Sequence, residues 1–563
     1  MKKNIDCLLI GHNEMSFSLH EKTVARMGLN SAAYRDLSLN FIRYNNKPYT
    51  ISDTFNLLFA KSNPEGCFPP LKMGETFSYT IAYLGSYLNK HGFCFDYIND
   101  FQEEKSKLAE ILEKNNILTI AIITTLYITP FPIIEIIDFI RQYNQTAKII
   151  VGGPFISTLA RTMSPDLLEH LLKHTIKADI YVNSPQGEAS LVGILNSLKS
   201  KSLPDNVPNI YYKIGDRLES TPEKAENTAL SENPVNWDLF SPDAGEFISI
   251  RTAISCPFSC AFCGFPQRTG KYQTAEVEFI KKEMDTLDKI GKVKCLNFID
   301  DTLNVPPHRF KEILRMMIKQ GYQYKWNSYF RCQYADNEMV GLMKESGCDG
   351  VFLGIESGSQ QILKNMNKQV NIEKYFQGIE LLKKNGIVTF GNFIIGFPGE
   401  NHETLQDTIR FIKDSGLDFF RVQLWYCEPI TPIWEQREKY GIIGDNFEWS
   451  HSTMNSKTAC DLVDEIFLTT EYPTWIPLYN FDFFHLWHLV HRGLNLKQVR
   501  DFLNAFNQGV KEKLRNPLQK DVDINVIKQM KKACLGNDYT AYSSNKKQNL
   551  LEKYDVDFDY RKN

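Results

Sequence analysis

The 563-residue sequence lacks a strong excess of charge of either sign. Lysine and arginine together number 64, and aspartate and glutamate number 67, which gives a formal net charge of −3. A chain this close to neutrality has no general electrostatic attraction to nucleic acid or to an anionic membrane. The length exceeds what one hydrophobic core supports, so we expect about three or four domains.

Long hydrophobic runs are also scarce. One apolar segment is long enough to be considered as a membrane span: residues 117–134, ILTIAIITTLYITPFPII. The stretch contains several threonines with Pro130 and Pro132, and Glu135 follows it, so a buried parallel strand that runs into a helix explains it better. The first residues carry two lysines but only a very short apolar run, broken by Asp6, which is not typical of a signal peptide. We expect a cytoplasmic protein with no membrane partner.

Cysteines that could complete a zinc site are missing. Cys256, Cys260 and Cys263 lie in ISCPFSCAFCGFP with the spacing C-x3-C-x2-C, and no second close couple follows them. Structural zinc requires four ligands, and the next cysteine, Cys295, lies in an apolar run. Scattered cysteines without a secretion signal argue against disulfides. Three thiolates on one loop can hold three irons of a [4Fe–4S] cluster and leave the fourth iron open. We rank this cluster above zinc, and zinc above a disulfide.

The three-cysteine loop resembles that of the radical S-adenosylmethionine (SAM) enzymes, in which the open iron binds SAM. Between residues 246 and 440, predicted strands at 248–254, 295–299, 325–330, 350–355, 388–395 and 419–424 alternate with predicted helices. This alternation fits the partial (β/α)6 barrel of that superfamily. Functional groups of such barrels gather at the carboxyl ends of the strands.

Polar residues follow these predicted strands, and the resemblance implies that they bind SAM. The paired carboxylates of Asp300 and Asp301 can accept the amino group of SAM, although a helix N-cap or a turn would also explain them. Arg331 ends the third strand, where a fixed guanidinium can pair with a carboxylate. The GIES turn and the FIIGFPGE segment would reach the ribose or amino end and the adenine. The implied set is Phe262, Asp300, Asp301, Arg331, Glu356, Ser357, Gly396 and Pro398.

The sixth predicted strand of the barrel ends in WYCEP. Tyr426 and Glu428 would lie at its active-site end, and they are the candidate substrate contacts. Cys427 between them could face the substrate, but a lone cysteine at a strand end is more often a small apolar filler.

Residues 1–198 show a second alternation of strands and helices, with an insertion at about 13–74, and predict a doubly wound parallel sheet. Ligands bind such sheets at the carboxyl ends of the strands. Thr124, Thr125 and Leu126 end one predicted strand, and Gly152 and Gly153 end the next. This arrangement resembles cobalamin-binding domains, in which the hydroxyl faces the dimethylbenzimidazole tail and the glycines let the backbone pass against it.

Two further features of this domain bear on cobalamin. Gly187 and Glu188, in ADIYVNSPQGEASL, look like the fifth strand end of the same domain family. The Asp-x-His-x-x-Gly motif, whose histidine binds cobalt in many cobalamin proteins, is absent. His12 after the first strand is the nearest candidate, but we interpret it as a local hydrogen-bonding residue and expect no histidine from this motif on cobalt.

The remaining segments are a connector at 199–245, with one predicted hairpin, and an aromatic, helical region at 441–563 that we expect to cap the barrel. The fold class is therefore α/β: a doubly wound cobalamin-binding Rossmann-like domain, a partial (β/α)6 radical SAM barrel and a helical C-terminal domain.

Across nearly the whole chain this organisation resembles the cobalamin-dependent (class B) radical SAM methyltransferases. The phrases DCLLIGHNEM and QLWYCEP are most similar to the phosphinothricin-type P-methyltransferases. The resemblance implies a [4Fe–4S] cluster, SAM and cobalamin as cofactors, and a reducing partner such as flavodoxin or ferredoxin. It implies methylation of an unactivated carbon or a phosphinate phosphorus, in a natural-product or peptide substrate, through methylcobalamin and a 5′-deoxyadenosyl radical. The alternatives are a cobalamin-assisted rearrangement or cyclisation without methyl transfer, and a non-catalytic cobalamin sensor.

Overall fold

The computed structural model describes residues 2–60, 68–72, 75–226 and 228–535. The chain divides into two compact units, Met1–Leu37 with Lys72–Pro473, and Ser38–Leu71 with Thr474–Asn563. The first unit contains both predicted α/β domains. Part of the predicted insertion belongs instead to the same unit as the end of the chain, a pairing of distant segments that has no local sequence signature. Those parts of the predicted domains that fall on residues 61–67, 73–74, 227 and 536–563 lie outside the described residues.

A seven-stranded sheet forms the amino-terminal part of the first unit. Its strands are β1 (Asn4–His12), β2 (Phe95–Asp100), β3 (Asn116–Ile123), β4 (Lys148–Gly152), β5 (Ile180–Val182), β6 (Ile210–Ile214) and β7 (Arg217–Ser220). Their order is β7-β6-β5-β4-β3-β1-β2, with β1 to β5 parallel and the β6–β7 hairpin antiparallel. This confirms the doubly wound sheet. The strand order reverses at β1, and ligands bind such sheets in the crevice outside the strand ends at that point.

Helices pack against this sheet, so its central strands are buried on both faces and consist of near-continuous apolar residues. Leu8, Ile10, Ile120 and Ile122 are almost completely buried in this core. The helices of this part are Phe17–Ala25, Ala32–Ser38, Tyr79–Lys90, Lys105–Lys114, Phe131–Tyr143, Pro154–Thr162, Pro165–His170 and Glu188–Lys199, with a π-helical segment at Leu171–Ile176. The apolar stretch 117–134 forms most of β3 and the start of the helix Phe131–Tyr143. Across the described part of the chain, no helix is both long and apolar enough to cross a membrane.

A second, parallel sheet forms the barrel. Its strands are Thr76–Phe77, β8 (Phe247–Ile250), β9 (Cys295–Phe298), β10 (Lys325–Phe330), β11 (Cys348–Glu356), β12 (Val388–Ile395) and β13 (Phe419–Leu424), in that spatial order. The predicted strands are confirmed to within a few residues at each end. The helices are Phe265–Thr269, Val277–Ile290, Pro307–Gln320, Asn337–Glu345, Gln360–Asn365, Ile372–Lys384, His402–Asp414, Arg437–Tyr440 and Ser456–Thr469.

Short elements complete the description. In the first unit these are the 3-10 helices Leu230–Glu232, Trp237–Phe240, Cys332–Tyr334 and Pro432–Gln436, and the strands Ala253–Ile254, Gln273–Thr274, Ile443–Asp445 and Glu448–Ser450. The second unit contains the strands Ile42–Tyr44, Lys47–Tyr49 and Thr474–Trp475 and the helices Ile51–Phe59, Phe483–His491, Leu496–Arg515 and Ile524–Leu535. The predicted helical character of the C-terminal region is confirmed for its described residues.

Candidate active site

The three-cysteine loop follows the short strand Ala253–Ile254 and leads into the helix Phe265–Thr269. Other segments hold its backbone on both sides. The Ala261 N–H donates to the Met366 carbonyl at 2.8 Å, and the Ala261 carbonyl accepts from the Ile433 N–H at 2.9 Å. These bonds anchor the middle of the loop to two other segments of the barrel part.

The thiols of this loop lie close enough to influence one another. Burial, together with the negative charges of Cys260 and Cys256, raises the pKa of Cys263 to about 12, and burial also raises the pKa of Cys256. Crowded thiolates in such a place need cationic partners, so the donor set fits an iron–sulfur cluster. Among the described residues, no three Cys, His, Asp or Glu side chains converge on one metal ion; each cysteine of a cluster binds a different iron.

Arg331 lies directly against the cysteine loop. Its Nη2 donates to Cys260 Sγ at 3.3 Å, and its guanidinium carbon lies 3.5 Å from the centre of the Phe258 ring. Asn304 fixes the Arg331 backbone through its side-chain amide. The Arg331 Nη1 atom is buried and has no hydrogen-bond partner among the described residues. One donor therefore supports a cluster ligand while the other is available for an anion, and the carboxylate-binding role of Arg331 stays a prediction.

The two adjacent aspartates have different surroundings. Asp300 is buried and accepts hydrogen bonds from the Thr252 N–H at 2.8 Å, the Thr252 hydroxyl at 3.0 Å and the Ala253 N–H. These bonds hold the segment that leads into the cysteine loop, and burial raises the pKa of Asp300 to about 6. Its contacts are those of a structural residue, although its predicted SAM contact is not tested by them.

The Asp301 side chain has a solvent-exposed surface, although protein atoms surround much of its carboxyl group. Burial and the charge of Asp300 raise the pKa of Asp301 to about 7, and the nearby Arg268 opposes this effect. Of the two carboxylates, Asp301 is the one that the structure leaves available for a ligand.

Glu356 lies at the end of β11, where the strand register shifts and its own φ is +68°. Lys368 Nζ contacts Glu356 Oε1 at 2.8 Å, with the two side chains only 6% and 8% exposed, and Asn392 Nδ2 donates to the other oxygen at 3.4 Å. The Lys368 ammonium also lies 5.5 Å from the centre of the Phe262 ring. Sequence reasoning missed Lys368, because it lies in a loop outside the strand pattern, yet it connects Glu356 to the cysteine loop.

We expect Lys368→Met to destabilise the protein. The substitution leaves the Glu356 carboxylate buried without its cation, and breaking one side of a buried pair costs roughly 3–5 kcal/mol. Thermal unfolding should show a clearly lower midpoint. The double variant Lys368→Met with Glu356→Gln should recover much of the loss, because it removes the unpaired charge. An unchanged midpoint in the single variant would show that the pair contributes little.

The other predicted SAM residues are held by the protein itself. The buried Ser357 hydroxyl lies 3.1 Å from the Thr408 hydroxyl and accepts from the Ser359 N–H at 3.1 Å. Gly396 has a φ of +96°, and a Cβ there would lie 2.6 Å from the Trp449 ring, so glycine is required for packing. The Pro398 carbonyl accepts from Asn365 Nδ2 at 3.1 Å. The GIES turn and the FPGE segment are therefore preformed, and their SAM contacts stay predictions.

The segment that follows β13 contacts the helix directly after the cysteine loop. Glu428 Oε1 pairs at 2.6 Å with Arg268 Nη1, on the helix directly after the loop, and Tyr426 is 43% exposed and packs edge-on against Phe447. Burial raises the pKa of the Tyr426 phenol to about 12. Cys427 is completely buried, as expected of an apolar filler. Arg268 was missed; its position five residues after Cys263 is the signal that could have found it.

The predicted cobalamin residues line the carboxyl edge of the first sheet. The buried Thr124 hydroxyl donates to the Gly152 carbonyl at 2.9 Å. Gly153 has a φ of +117°, and a Cβ there would lie 2.8 Å from the Thr124 hydroxyl oxygen, so the close approach that requires glycine is to Thr124. Thr125 is exposed, with its hydroxyl 3.4 Å from that of Thr80. Contacts of these residues with cobalamin stay predictions.

The loop after β3 exposes three large apolar side chains. Leu126 is 64% exposed, Ile128 80% and Phe131 47%. We call these three residues the apolar loop. Single exposed apolar residues are ordinary, but a group of them at the ligand-binding edge of a doubly wound sheet indicates a surface that a ligand or partner covers.

Glu188 starts the helix after Gly187, which has a φ of +80°. The carboxylate is completely buried; Oε1 accepts from the Tyr83 hydroxyl at 2.9 Å, while Oε2 has no hydrogen-bond partner among the described residues. Burial raises the pKa of Glu188. Arg251, directly after barrel strand β8, lies 4.9 Å from the centre of the Tyr83 ring. Glu188 is thus part of a cluster that joins the first sheet to the barrel.

A second contact joins the same two parts of the first unit. Arg161, on the helix that follows Gly153, donates to the Gln267 carbonyl on the helix that follows the cysteine loop. The edge of the first sheet and the cysteine loop therefore lie on neighbouring elements.

The structure contradicts the interpretation of the His12 side chain that we made from the sequence. We interpreted it as a local hydrogen-bonding residue, but its imidazole makes no hydrogen bond to any described residue; its ring contact is with Tyr127, at 6.0 Å between centroids. Only its backbone carbonyl is used, as an acceptor for the Phe101 N–H at 2.8 Å.

Comparisons with known proteins agree with this geometry. Residues 250–412 match the model of the radical SAM superfamily. An uncharacterised methyltransferase of Pyrococcus horikoshii is 26% identical over 302 residues, which cover 52% of this chain and 64% of that protein, so the match spans less than two thirds of this relative.

Two solved structures share the fold. TsrM from Kitasatospora setae, a radical SAM methyltransferase with cobalamin and a [4Fe–4S] cluster bound, has a TM-score of 0.55 at 19% identity, over 66% of this chain and 76% of that chain. OxsB, a cobalamin-dependent SAM radical enzyme with aqua-cobalamin and SAM bound, has a TM-score of 0.56 at 14% identity, over 96% of this chain and 80% of that chain.

The cysteine loop and the parallel barrel lie in the part of the chain, residues 250–412, that matches the radical SAM superfamily. The two α/β parts share the fold of TsrM and OxsB, which confirms the suspected resemblance at the level of the fold.

Proposed function

We propose that this enzyme is a cobalamin-dependent radical SAM methyltransferase that acts on an unactivated carbon or on a phosphinate phosphorus of a natural-product or peptide substrate. The observation that carries the proposal is the contact between Arg161 and Gln267. It supports the proposal because it joins the helix that follows Gly153 to the helix that follows the cysteine loop, and a transfer between two cofactors requires their binding sites to be neighbours.

When bound, the cluster and SAM supply a 5′-deoxyadenosyl radical, and cobalamin carries the methyl group to be transferred. The protein contributes binding, orientation and exclusion of water. Cys256, Cys260 and Cys263 would hold the cluster, and the Arg331 guanidinium donates to one of these thiolates. Asp301 and the free Nη1 of Arg331 present opposite charges to a zwitterionic ligand such as SAM.

The apolar loop has a corresponding role at the other cofactor. The corrin ring is a large, flat and mostly apolar body, so exposed Leu126, Ile128 and Phe131 are suited to cover one of its faces. The hydrogen bond from Thr124 to the Gly152 carbonyl fixes the backbone directly before this loop. Tyr426 and the Arg268–Glu428 pair lie at the end of the barrel nearest the cysteine loop, where a substrate would enter.

The test of the proposal is anaerobic purification with iron, sulfide and hydroxocobalamin, followed by mass spectrometry on candidate peptides and phosphinates. Methylated product with both S-adenosylhomocysteine and 5′-deoxyadenosine supports methyl transfer. Deoxyadenosine alone favours a rearrangement or cyclisation. No cleavage of SAM by the reconstituted protein would favour a cobalamin sensor.

We further propose that an acidic one-electron carrier, such as flavodoxin or ferredoxin, reduces the cluster from a cleft beside the loop. A cavity of about 370 Å3 is lined by Ser259, Ala261, Lys364, Asn367, Gln436 and Lys439, so the residues flanking Cys260 form part of its wall. Among the described residues neither lysine is ion-paired with a carboxylate. Unpaired cations around a short path to the cluster favour a partner of opposite charge.

Reversing both charges, Lys364→Glu with Lys439→Glu, should raise the KM for reduced flavodoxin roughly tenfold at low ionic strength, because electrostatic steering is lost. SAM cleavage driven by dithionite should be unchanged, since a chemical reductant needs no docking. Lys319→Glu, at an exposed position on another helix, is the control. Equal losses with both reductants would place the defect in the site rather than in docking.

A further inference from the structure

One titratable side chain at the edge of the first sheet has no role in the arrangement described so far. His12 is the last residue of β1, and β1 lies between β2 and β3 at the point where the strand order reverses. Ligand crevices of doubly wound sheets open at this point. The imidazole is half-buried and makes no hydrogen bond to any described residue.

The neighbours of His12 belong to the predicted cobalamin edge. Tyr127, whose ring contacts the imidazole, accepts a hydrogen bond from the Asn13 N–H at 2.7 Å through its hydroxyl. This bond ties the loop after β3 to the end of β1. Leu126, the first member of the apolar loop, directly precedes Tyr127 in the chain. His12 and the apolar loop are therefore parts of the same edge.

The described polar residues around His12 form hydrogen bonds with one another and none with the His12 imidazole. The Asn13 side-chain amide donates to the Pro132 carbonyl at 3.0 Å and to Glu135 at 3.1 Å, and Gln102 and Lys105 also bond to Glu135. Burial lowers the pKa of His12 to about 4. The ring is thus neutral at physiological pH with a nitrogen lone pair free, which is the form that binds metals.

We propose that a ring nitrogen of His12 would coordinate the cobalt of cobalamin bound at the carboxyl edge of the first sheet. The inference rests on the proposed cobalamin function, and it agrees with the absence of the Asp-x-His-x-x-Gly motif, because His12 does not belong to such a motif. It requires a nitrogen lone pair from His12 to form the bond, with no other covalent change, and the dimethylbenzimidazole tail to be bound elsewhere in the protein.

The test is electron paramagnetic resonance of the holoprotein. Protein labelled with 15N-histidine is loaded with unlabelled cobalamin and reduced to the cob(II)alamin state. Coordination by His12 predicts a doublet superhyperfine splitting from the 15N nucleus. Coordination by dimethylbenzimidazole would give a triplet from 14N, and coordination by neither would give no nitrogen splitting. Either of these two results would overturn the inference.

Variants connect the signal to the residue. His12→Ala should lose the doublet while cobalamin remains bound, whereas His308→Ala, at an exposed position of the barrel, should keep it. A doublet that persists in His12→Ala would contradict the inference. The labelled wild-type protein decides the question even if His12→Ala does not fold. A protein that binds no cobalamin at all would overturn the proposed function together with this inference, whereas bound cobalamin without the doublet would overturn this inference alone.

Discussion

Cys260→Ala is expected to abolish the cluster and the formation of 5′-deoxyadenosine while leaving cobalamin binding intact. Cys260 is buried at the centre of the loop and accepts a hydrogen bond from Arg331, so its loss removes an iron ligand and leaves the guanidinium without that partner. Two thiolates and an unpaired cation cannot hold the cluster in place. Iron content and deoxyadenosine should both fall to background.

The predicted cobalamin residues belong to a different sheet, so the corrin absorbance of the Cys260→Ala protein should match that of the wild type. Cys348→Ala is the matched control, because Cys348 is also buried in the barrel but lies at the start of β11, away from the strand ends that form the site. Simultaneous loss of cobalamin in Cys260→Ala would contradict the assignment of the two cofactors to separate sheets.

Leu126→Asp should produce the opposite pattern, with weaker cobalamin binding and an intact cluster. Leu126 is 64% exposed, so the substitution costs little folding energy. Covering a leucine side chain contributes about 1.5–3 kcal/mol. Losing that contact should weaken cobalamin binding roughly 10- to 100-fold, and a carboxylate facing an apolar corrin adds a desolvation cost.

Equilibrium titration with hydroxocobalamin measures this effect, and iron content measures the integrity of the cluster. Leu203→Asp is the control, since Leu203 is similarly exposed, at 52%, but lies in the segment between the helix Glu188–Lys199 and β6. Equal affinity of Leu126→Asp and wild type would show that the apolar loop does not cover the corrin.

The sequence was sufficient to predict most strands and helices of the first unit, but not the helices Phe17–Ala25 and Ala32–Ser38, which lie in the predicted insertion. Near-continuous apolar runs such as those of β1, β3 and β12 result from burial on both faces of a sheet, and such runs are recognisable in the local sequence. The cysteine loop was predictable for another reason, because its ligand spacing is a local property of the chain.

Contacts between distant segments were not predictable. Nothing near Glu356 shows that Lys368 is its partner, and nothing near Asp300 shows that its carboxylate holds Thr252 and Ala253. The free imidazole of His12 and the shared unit of Ser38–Leu71 with the end of the chain likewise depend on which segments meet in the fold. The role of a polar residue at a strand end depends on which residues surround it in the fold, and a single sequence does not reveal those neighbours.

The central claim is that one chain has two neighbouring sites, an iron–sulfur site that cleaves SAM and a site that binds cobalamin. The most direct measurement is reconstitution of the wild-type protein with iron, sulfide and hydroxocobalamin, followed by addition of dithionite as the reductant and of SAM that contains a trideuterated methyl group. The account predicts that iron and corrin co-purify with the protein and that the deuterated methyl group is found on the bound corrin or on product, together with 5′-deoxyadenosine. Deoxyadenosine without any transfer of the labelled methyl group would contradict it.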